Sequence, residues 1–396
     1  MKHWARNIYI IGVIRACIFS IFIIPVIALF WKKHGLTISD IFNLQAIFAL
    51  SVIFFEIPTG YIGDKLGRKK TLILALGIIL ISWLLYGFAT TFIQFVVIEI
   101  SLGIGISFIS GTDSALLYES LTQLNRTADY TRLEGKQRAI GMLCDCASAL
   151  IGGFFISFTS YRLLFMGSVI TSAIALVHCF FIVNPQSRHY NHPRGTLYGF
   201  YKIGRFVFLK SKIVRYVIPL MASLGLCTML GIWLYQPLWA HLKIPVYLFG
   251  VLWALRALPT LGASYFAHSL EKKLGHRNII LLMSLPAFIG YFILAFAPGY
   301  YRLIGILFVQ SLFGLTNPIL AKYIQHETFD DKRATVMSIQ SWLFRLGYFI
   351  TAPIVGQVAK KYSFTPAFFT DYYYFSSFDY PFYLCFFKKW RCILNR

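Results

Sequence analysis

Long hydrophobic runs alternate with short polar segments along almost the whole chain. The first six runs cover about 7–31, 40–63, 71–91, 92–120, 138–159 and 163–183. The next six cover about 215–240, 245–268, 278–298, 300–325, 334–359 and 366–387. A helix needs about 20 apolar residues to cross the hydrocarbon core of a bilayer, and each run approaches or exceeds that length. The pattern predicts an all-α polytopic membrane protein with twelve transmembrane helices in two six-helix bundles.

A polar, basic stretch separates the two sets of runs and defines the predicted domains. We expect an N-terminal bundle at 1–183, a cytoplasmic linker at 184–214, a C-terminal bundle at 215–387 and a cytoplasmic tail at 388–396. The mixture of aromatic and basic residues in the linker is typical of a helix on the anionic inner leaflet, but equally of a solvated tether. The first run lacks a small-residue cleavage site, so we expect it to remain as a membrane anchor.

Composition and charge agree with a membrane protein and indicate its orientation. The chain is 58% hydrophobic, with a mean hydropathy of +0.66, which excludes a soluble globule. The net charge of +22 comes from 37 lysines and arginines against 15 acids, and most of these bases fall in alternate loops. By the positive-inside rule, both termini and the linker are cytoplasmic. The charge is therefore an orientation signal, and we expect no nucleic-acid partner.

Short sequence echoes in matching loops indicate an internal duplication. The segment KLGRKK, which starts at Lys65, resembles KLGHRN, which starts at Lys273. RAIGM from Arg138 likewise resembles RATVM from Arg333. The echoes fall in the same order in both halves, as expected for two copies of a six-helix unit. Parallel duplicated halves are typical of transporters whose two bundles rock about a central site.

The loop after the second run carries the most specific motif, EIPTGYIGDKLGRKK. It resembles motif A of the major facilitator superfamily, and these positions are in register: Gly60, Asp64, Gly67, Arg68 and Lys69. A glycine at 60 would let two helices approach closely, and a glycine at 67 would permit a tight turn. Asp64 and Arg68 have the spacing of a helical ion pair. The resemblance implies that these residues gate the transporter; the alternative is that they only set its orientation.

Other motifs depart from those of the proton-coupled drug exporters in the same superfamily. Where the fourth helix of those exporters carries an arginine, this chain has Glu99, so the charge is inverted. Of the fifth-helix motif of those exporters, this chain has only the last two glycines, Gly152 and Gly153. The segment SGTDSALLYES, from Ser110 to Ser120, is instead similar to a bacterial group of drug-exporter-like transporters. Efflux is therefore favoured only slightly over uptake.

Three charged residues lie inside predicted helices at positions that suit proton coupling. At about 1.5 Å per residue, Arg15 on the first helix and Asp113 on the fourth lie at about the same depth from the cytoplasm. Glu99 lies about 21 Å farther out on the fourth helix. A charge in lipid is costly without a partner or water, and the resemblance implies that these two helices line the cavity. We expect a proton relay or, as the alternative, unrelated structural contacts.

Two further groups of residues are candidates for sites between the bundles. The first group consists of charged residues on helices that pack against each other across the bundle interface in the superfamily. They are candidates for ion pairs that either switch between conformations or stay fixed. Its members are Glu56, Asp145, Arg256 and Arg345. The second combines aromatic and amide side chains that suit an amphipathic substrate, although simple packing is the alternative. Its members are Trp233, Tyr235, Gln236 and Asn317.

We expect no cofactor, no metal site and no enzymatic activity. The histidines of the HYNH segment, His189 and His192, have no acid or cysteine beside them to complete a metal site. The seven cysteines include no CxxC pair, and no Walker motif indicates ATP as the energy source. The loops are too short to hold a soluble catalytic domain.

Together these features predict a secondary active transporter in the bacterial cytoplasmic membrane. It would move a small organic solute by alternating access, with protons as the coupling ion, as a monomer in the lipid bilayer. The last run raises an alternative, because Asp371, Asp379 and an internal proline make it unlike every other crossing. Either the twelfth helix is naturally aromatic-rich, or a shifted reading frame has left an inactive or sensor-like relic. A polytopic membrane enzyme is the remaining alternative.

The predicted orientation can be tested with alkaline phosphatase fusions, which are active only outside the cytoplasm. Fusions after residue 185 or 275 should be silent, and fusions near residue 34, 161 or 300 should be active, because the bases concentrate in the cytoplasmic segments. Immunoblotting each fusion controls for its expression. A reversed pattern would overturn the topology.

Overall fold

The computed structural model describes residues 2–184, 214–326, 333–362 and 366–368. The helices of the first half are α1 Lys2–Phe19, α2 Ile27–Lys33, α3 Ile38–Leu66, α4 Arg68–Tyr86, α5 Phe92–Ile109, α6 Thr112–Gln123, α7 Tyr130–Phe155 and α8 Tyr161–Phe180. Those of the second half are α9 Val214–His241, α10 Tyr247–Leu255, α11 Ala257–Met283, α12 Leu285–Phe296, α13 Arg302–His326 and α14 Arg333–Tyr362. Most of the predicted linker, nearly all of the predicted twelfth helix and the tail lie outside the described residues.

Every regular element within the described ranges is helical. Nine of these helical segments are long and apolar enough to cross a membrane, from Trp4–Lys33 near the N-terminus to Gly299–Ile324 in the second half. Their side chains that are not buried against other helices remain largely apolar, as expected of surfaces that face lipid. The prediction of an all-α, multi-pass membrane fold is confirmed.

Two of the predicted membrane helices in the first half are broken. The first run is divided between α1 and α2 by an unwound segment at residues 20–23. The fourth run is divided between α5 and α6 at residues 110–111, where Gly111 has a φ of 78°. This left-handed conformation suits glycine because other residues pay a steric cost for it. The hydrophobic pattern does not reveal either break, because both runs stay apolar through it.

The unwound segment after α1 is held by α8 and α7. The Phe22 N–H donates to Ser168 Oγ at 3.3 Å, and Thr171 Oγ1 donates to the Ser20 carbonyl at 3.2 Å. Irregular backbone at membrane depth needs such partners because lipid supplies none. Gly152 on α7 lies directly against the Phe22 carbonyl, where an added Cβ would overlap the oxygen.

The chain divides into two compact units. Among the described residues, the first unit draws on 2–34, 47–184 and 245–254, and the second on 35–46, 214–244 and the described ranges from 255 to 368. The start of α3 and most of α10 therefore group with the unit built mainly from the other half of the chain. The sequence pattern does not anticipate this exchange, and the predicted domain boundaries remain a prediction.

Helices within each unit cross closely where side chains are small or polar. In the first unit, Gly103 on α5 lies against Ser51 on α3. In the second, Thr260 Oγ1 on α11 donates to the Gln310 carbonyl on α13 at 2.9 Å. Lipid provides no hydrophobic drive between helices, so close backbone approach and interhelical hydrogen bonds stabilise such crossings.

The duplicated loop has the same backbone turn in both halves. Gly67, in KLGRKK, has φ and ψ of 80° and 157°. Gly275, in KLGHRN, has 75° and 161°. Both glycines therefore adopt a conformation that disfavours a side chain. The sequence echo thus corresponds to a repeated structural element.

Replacing Gly152 by alanine should destabilise the protein, because the new Cβ would overlap the Phe22 carbonyl. Overpacking of this kind costs about 1–3 kcal/mol. Thermal unfolding in detergent measures the change. Gly77→Ala is the matched control, since a Cβ there meets no atom within 4 Å, and alanine favours a helix. Equal stability of the two variants would contradict the packing at Gly152.

Candidate functional site

Arg15 on α1 binds four side chains at once, although only 5% of its surface is exposed. Its Nε donates to Asp113 Oδ2 at 2.7 Å, and its Nη1 donates to Glu134 Oε2 at 2.8 Å. Its Nη2 donates to Ser114 Oγ at 2.9 Å, and Nη1 also donates to Gln137 Oε1 at 3.2 Å. A guanidinium buried in a membrane protein needs such partners, and here two of them are carboxylates.

The break in the fourth membrane helix places Asp113 where a negative charge is favoured. Asp113 lies in the first turn of α6, directly after the left-handed Gly111. The Ser114 N–H donates to Asp113 Oδ1 at 2.8 Å. The first turn of a helix favours an anion, so the start of α6 stabilises the charge of Asp113. Arg15 lies before the last turn of α1, which contains no basic residue.

Glu134 on α7 is a second acid in this site, and the sequence analysis missed it. It accepts a hydrogen bond from Ser114 Oγ at 3.0 Å and one from Arg138 Nε at 2.9 Å, in addition to Arg15. We call Arg15, Asp113, Glu134 and Arg138 the charge cluster. The sequence analysis began its fifth helix at 138, whereas α7 begins at Tyr130. The helical spacing of Glu134 and Arg138 was the signal that could have revealed it.

Glu99 belongs to a separate network on the outer half of the fourth membrane helix. It is 4% exposed on α5 and accepts a hydrogen bond from Tyr86 Oη at 2.7 Å. Trp31 Nε1 on α2 donates to the same Tyr86 oxygen at 3.0 Å. Phe165 stacks on the Tyr86 ring, with centroids 5.1 Å apart. The structure therefore brings Arg15 and Asp113 together and holds Glu99 in a different hydrogen-bond network.

The motif A residues fasten the loop between α3 and α4 to other parts of the first unit. Arg68 Nε donates to Glu119 Oε1 on α6 at 3.1 Å. Lys69 Nζ donates to the Phe180 carbonyl at 2.6 Å, and its N–H donates to Asn184 Oδ1 at 3.1 Å. The side chain of Asp64 lies outside the described residues, so its predicted gating contact remains a prediction.

The close helix approach that the sequence predicts at Gly60 remains a prediction. A Cβ at Gly60 would meet no atom within 4 Å among the described residues. A Cβ at Gly63 would lie 3.4 Å from the Thr71 methyl group. Gly67, by contrast, adopts the predicted tight turn.

The remaining candidates are distributed between the two units. Glu56 on α3 and Asp145 on α7 belong to the first unit, while Arg256, just before α11, and Arg345 on α14 belong to the second. Their pairing remains a prediction. On α9, the aromatic and amide candidates are buried: Trp233, Tyr235 and Gln236. Asn317 lies on α13, and its side chain is outside the described residues.

A buried acid in the second unit also escaped the sequence analysis. Glu271 on α11 is 5% exposed and accepts hydrogen bonds from Lys322 Nζ at 3.1 Å and from Tyr323 Oη at 2.9 Å. It lies just before the KLGHRN loop, so in the sequence its charge cannot be told apart from the other charges of that polar segment. The described residues contain no group of three or more acids, histidines or cysteines that could hold a metal ion.

Comparisons with known proteins find a family that most of the chain matches. The sequence profile of the Major Facilitator Superfamily matches residues 8–352. The quinolone resistance protein NorA of Staphylococcus aureus strain MSSA476 is 24% identical over 352 residues, covering 84% of each chain. Multidrug resistance protein 2 of Bacillus subtilis strain 168 is 30% identical over 166 residues, covering 41% of this chain and 39% of that protein.

Solved structures support the same fold. The nucleoside transporter NupG superposes with a TM-score of 0.75 at 14% identity and covers 98% of this chain and 100% of its own. A D-xylose-proton symporter superposes with a TM-score of 0.73 at 17% identity and covers 97% of both chains. At these identities the likeness shows the fold alone.

Replacing Tyr86 by phenylalanine should destabilise the protein by about 1–3 kcal/mol, because Glu99 would lose a buried hydrogen bond and keep its desolvation cost. Thermal unfolding in detergent measures the loss. Tyr9→Phe is the control, since Tyr9 is 68% exposed. If both variants unfold like the parent protein, the Tyr86 contact contributes nothing to stability.

Proposed function

The chain belongs to the major facilitator superfamily, and from this membership we propose that it is a proton-coupled exporter of amphipathic organic molecules. It is a multi-pass membrane secondary transporter by family and fold. The observation that carries the coupling proposal is the buried contact of Arg15 with Asp113 at 2.7 Å. A carboxylate held against a guanidinium inside a membrane can take up a proton when that contact is broken, while the guanidinium keeps its own charge.

Export of amphipathic compounds is supported by the relatives and by the side chains on α9. The matching proteins are named for resistance to quinolones and to multiple drugs. Trp233, Tyr235 and Gln236 combine aromatic rings with an amide, a composition that suits amphipathic organic molecules. We therefore take a quinolone as the first substrate to test.

The proposed coupling cycle uses the charge cluster in two states. With Arg15 in contact, Asp113 is neutralised by the guanidinium and needs no proton. When alternating access separates Arg15 from the acid, Asp113 would remain in a poorly hydrated environment and would take up a proton. Release of the proton on the other side would restore the ion pair. Glu99, hydrogen-bonded by Tyr86 nearer the outer end of the helix, would be the outer relay.

The setting of this function follows from the same features. We propose that the protein acts in the bacterial cytoplasmic membrane as a monomer surrounded by lipid, with its bases facing the cytoplasm. We assign it no cofactor and no enzymatic activity. Its partners are then a small-molecule substrate and protons.

Transport in proteoliposomes tests the proposal with norfloxacin, a quinolone, and ethidium as probes. An imposed pH gradient should drive accumulation of at least one probe. Asp113→Asn should lower gradient-driven accumulation at least about tenfold while sparing probe-for-probe exchange, which needs no net protonation. Asp129→Asn is the matched control, because Asp129 pairs with Arg126 in an exposed contact.

The outcomes separate the alternatives. If Asp113→Asn loses exchange and accumulation equally, Asp113 serves substrate binding or folding instead of coupling. If gradient-driven accumulation is undiminished in Asp113→Asn, Asp113 is not part of the coupling site. Glu99→Gln should reproduce the coupling defect if Glu99 is the outer relay, and unchanged transport would make it a structural contact. If the unaltered protein accumulates and exchanges neither probe, the exporter proposal fails for these compounds, and an inactive relic becomes the favoured function.

A further inference from the structure

Two acids of the charge cluster are bound to the same cation and to the same serine. Asp113 and Glu134 accept from different nitrogens of Arg15. Ser114 donates its N–H to Asp113 and its hydroxyl to Glu134. The acid side chains come from different helices and are only 17% and 14% exposed. They are thus held as neighbours by two shared partners, inside the bundle.

The charges in this arrangement balance only while Arg15 is present. Arg15 reaches both acids from α1, and Arg138 reaches Glu134 from α7. Gln137 on α7 accepts a hydrogen bond from Arg15, and Tyr130 lies four residues before Glu134 on the same helix. Two carboxylates and two guanidiniums then sum to zero. If Arg15 withdraws, two neighbouring carboxylates face one cation that is 69% exposed. Like charges held close together in a poorly hydrated site cannot both stay ionised.

We propose that Asp113 and Glu134 together bind one transported proton, which neither acid binds on its own. This inference rests on the proposed function for its role in transport, but the proton-binding site stands on the geometry of the cluster. One proton restores neutrality when Arg15 leaves, and a second would make the site positive. The proton therefore belongs to the pair, as in other sites where interacting acids titrate together.

Infrared spectroscopy of the purified protein can detect this proton without any substrate. The C=O stretch of a protonated carboxyl group is separate from the carboxylate bands. Arg15→Gln mimics withdrawal of the cation, so at neutral pH this variant should gain the band of one protonated carboxyl group. The double variants Arg15→Gln with Asp113→Asn, and Arg15→Gln with Glu134→Gln, should each lose that band completely, because the remaining acid has no anionic neighbour.

A matched control removes the cation of an ordinary ion pair in the same unit. Arg126→Gln leaves Asp129 without its arginine in an exposed position and should add no protonated carboxyl band. The proposal is overturned if Arg15→Gln shows no band. It is equally overturned if the band persists in one of the double variants, because the proton then belongs to a single acid.

A second measurement covers the case in which Arg15→Gln does not fold. Arg15→Met removes the charge with an unbranched side chain, and the protonated carboxyl band of this variant is followed at about pH 7. Adding Asp113→Asn, Glu134→Gln or both changes to Arg15→Met should each remove the same single-carboxyl signal. Additive losses, or no loss, would overturn the shared proton. A shared proton without any transport would overturn the exporter proposal alone, so the two failures are distinguishable.

Discussion

The structure of the first unit depends on one constraint, the burial of the Arg15 guanidinium inside a bundle that lipid surrounds. Such a charge persists only where several oxygen atoms replace its water shell. Four side chains from two other helices supply those oxygens. The break before α6 and the early start of α7 are the backbone features that deliver them. These two features together bring the polar side chains of α6 and α7 to one cation.

The break in the fourth membrane helix also places two acids in different chemical environments. Asp113, on the inner half, lies in a charged setting, whereas Glu99, on the outer half, lies among aromatic rings. A continuous helix would leave residue 113 with no helix N-terminus to support its charge. The break therefore gives the two carboxyl groups of one membrane crossing different environments. One membrane crossing thus holds a carboxyl group against a guanidinium and another against a phenol hydroxyl.

Much of this arrangement is readable in the sequence because membrane helices and buried charges follow simple rules. The length of the runs predicts the crossings, and equal depth predicts that Arg15 and Asp113 can meet. Glu134 is missed because the polar start of α7 has the composition of a loop and becomes helical only through its contacts. Gly111 and the unwound residues 20–23 are missed for a related reason, since hydropathy records the lipid environment and carries no information on backbone dihedral angles. Glu271 is missed for the same reason as Glu134, because it lies beside a charged loop and has the composition of that loop.

The contact between Lys69 and Asn184 has a consequence for the order in which the protein is assembled. Helix α4 begins with Arg68, Lys69 and Lys70 after a glycine that offers no side-chain cap, so its first turn carries positive charge where a helix favours negative charge. The oxygen that accepts the Lys69 N–H belongs to a residue 115 positions later in the chain. During synthesis, the Lys69 N–H therefore cannot make this bond until Asn184 has left the ribosome. The start of α4 is joined to the residues after α8 only once all the helices between them have been synthesised.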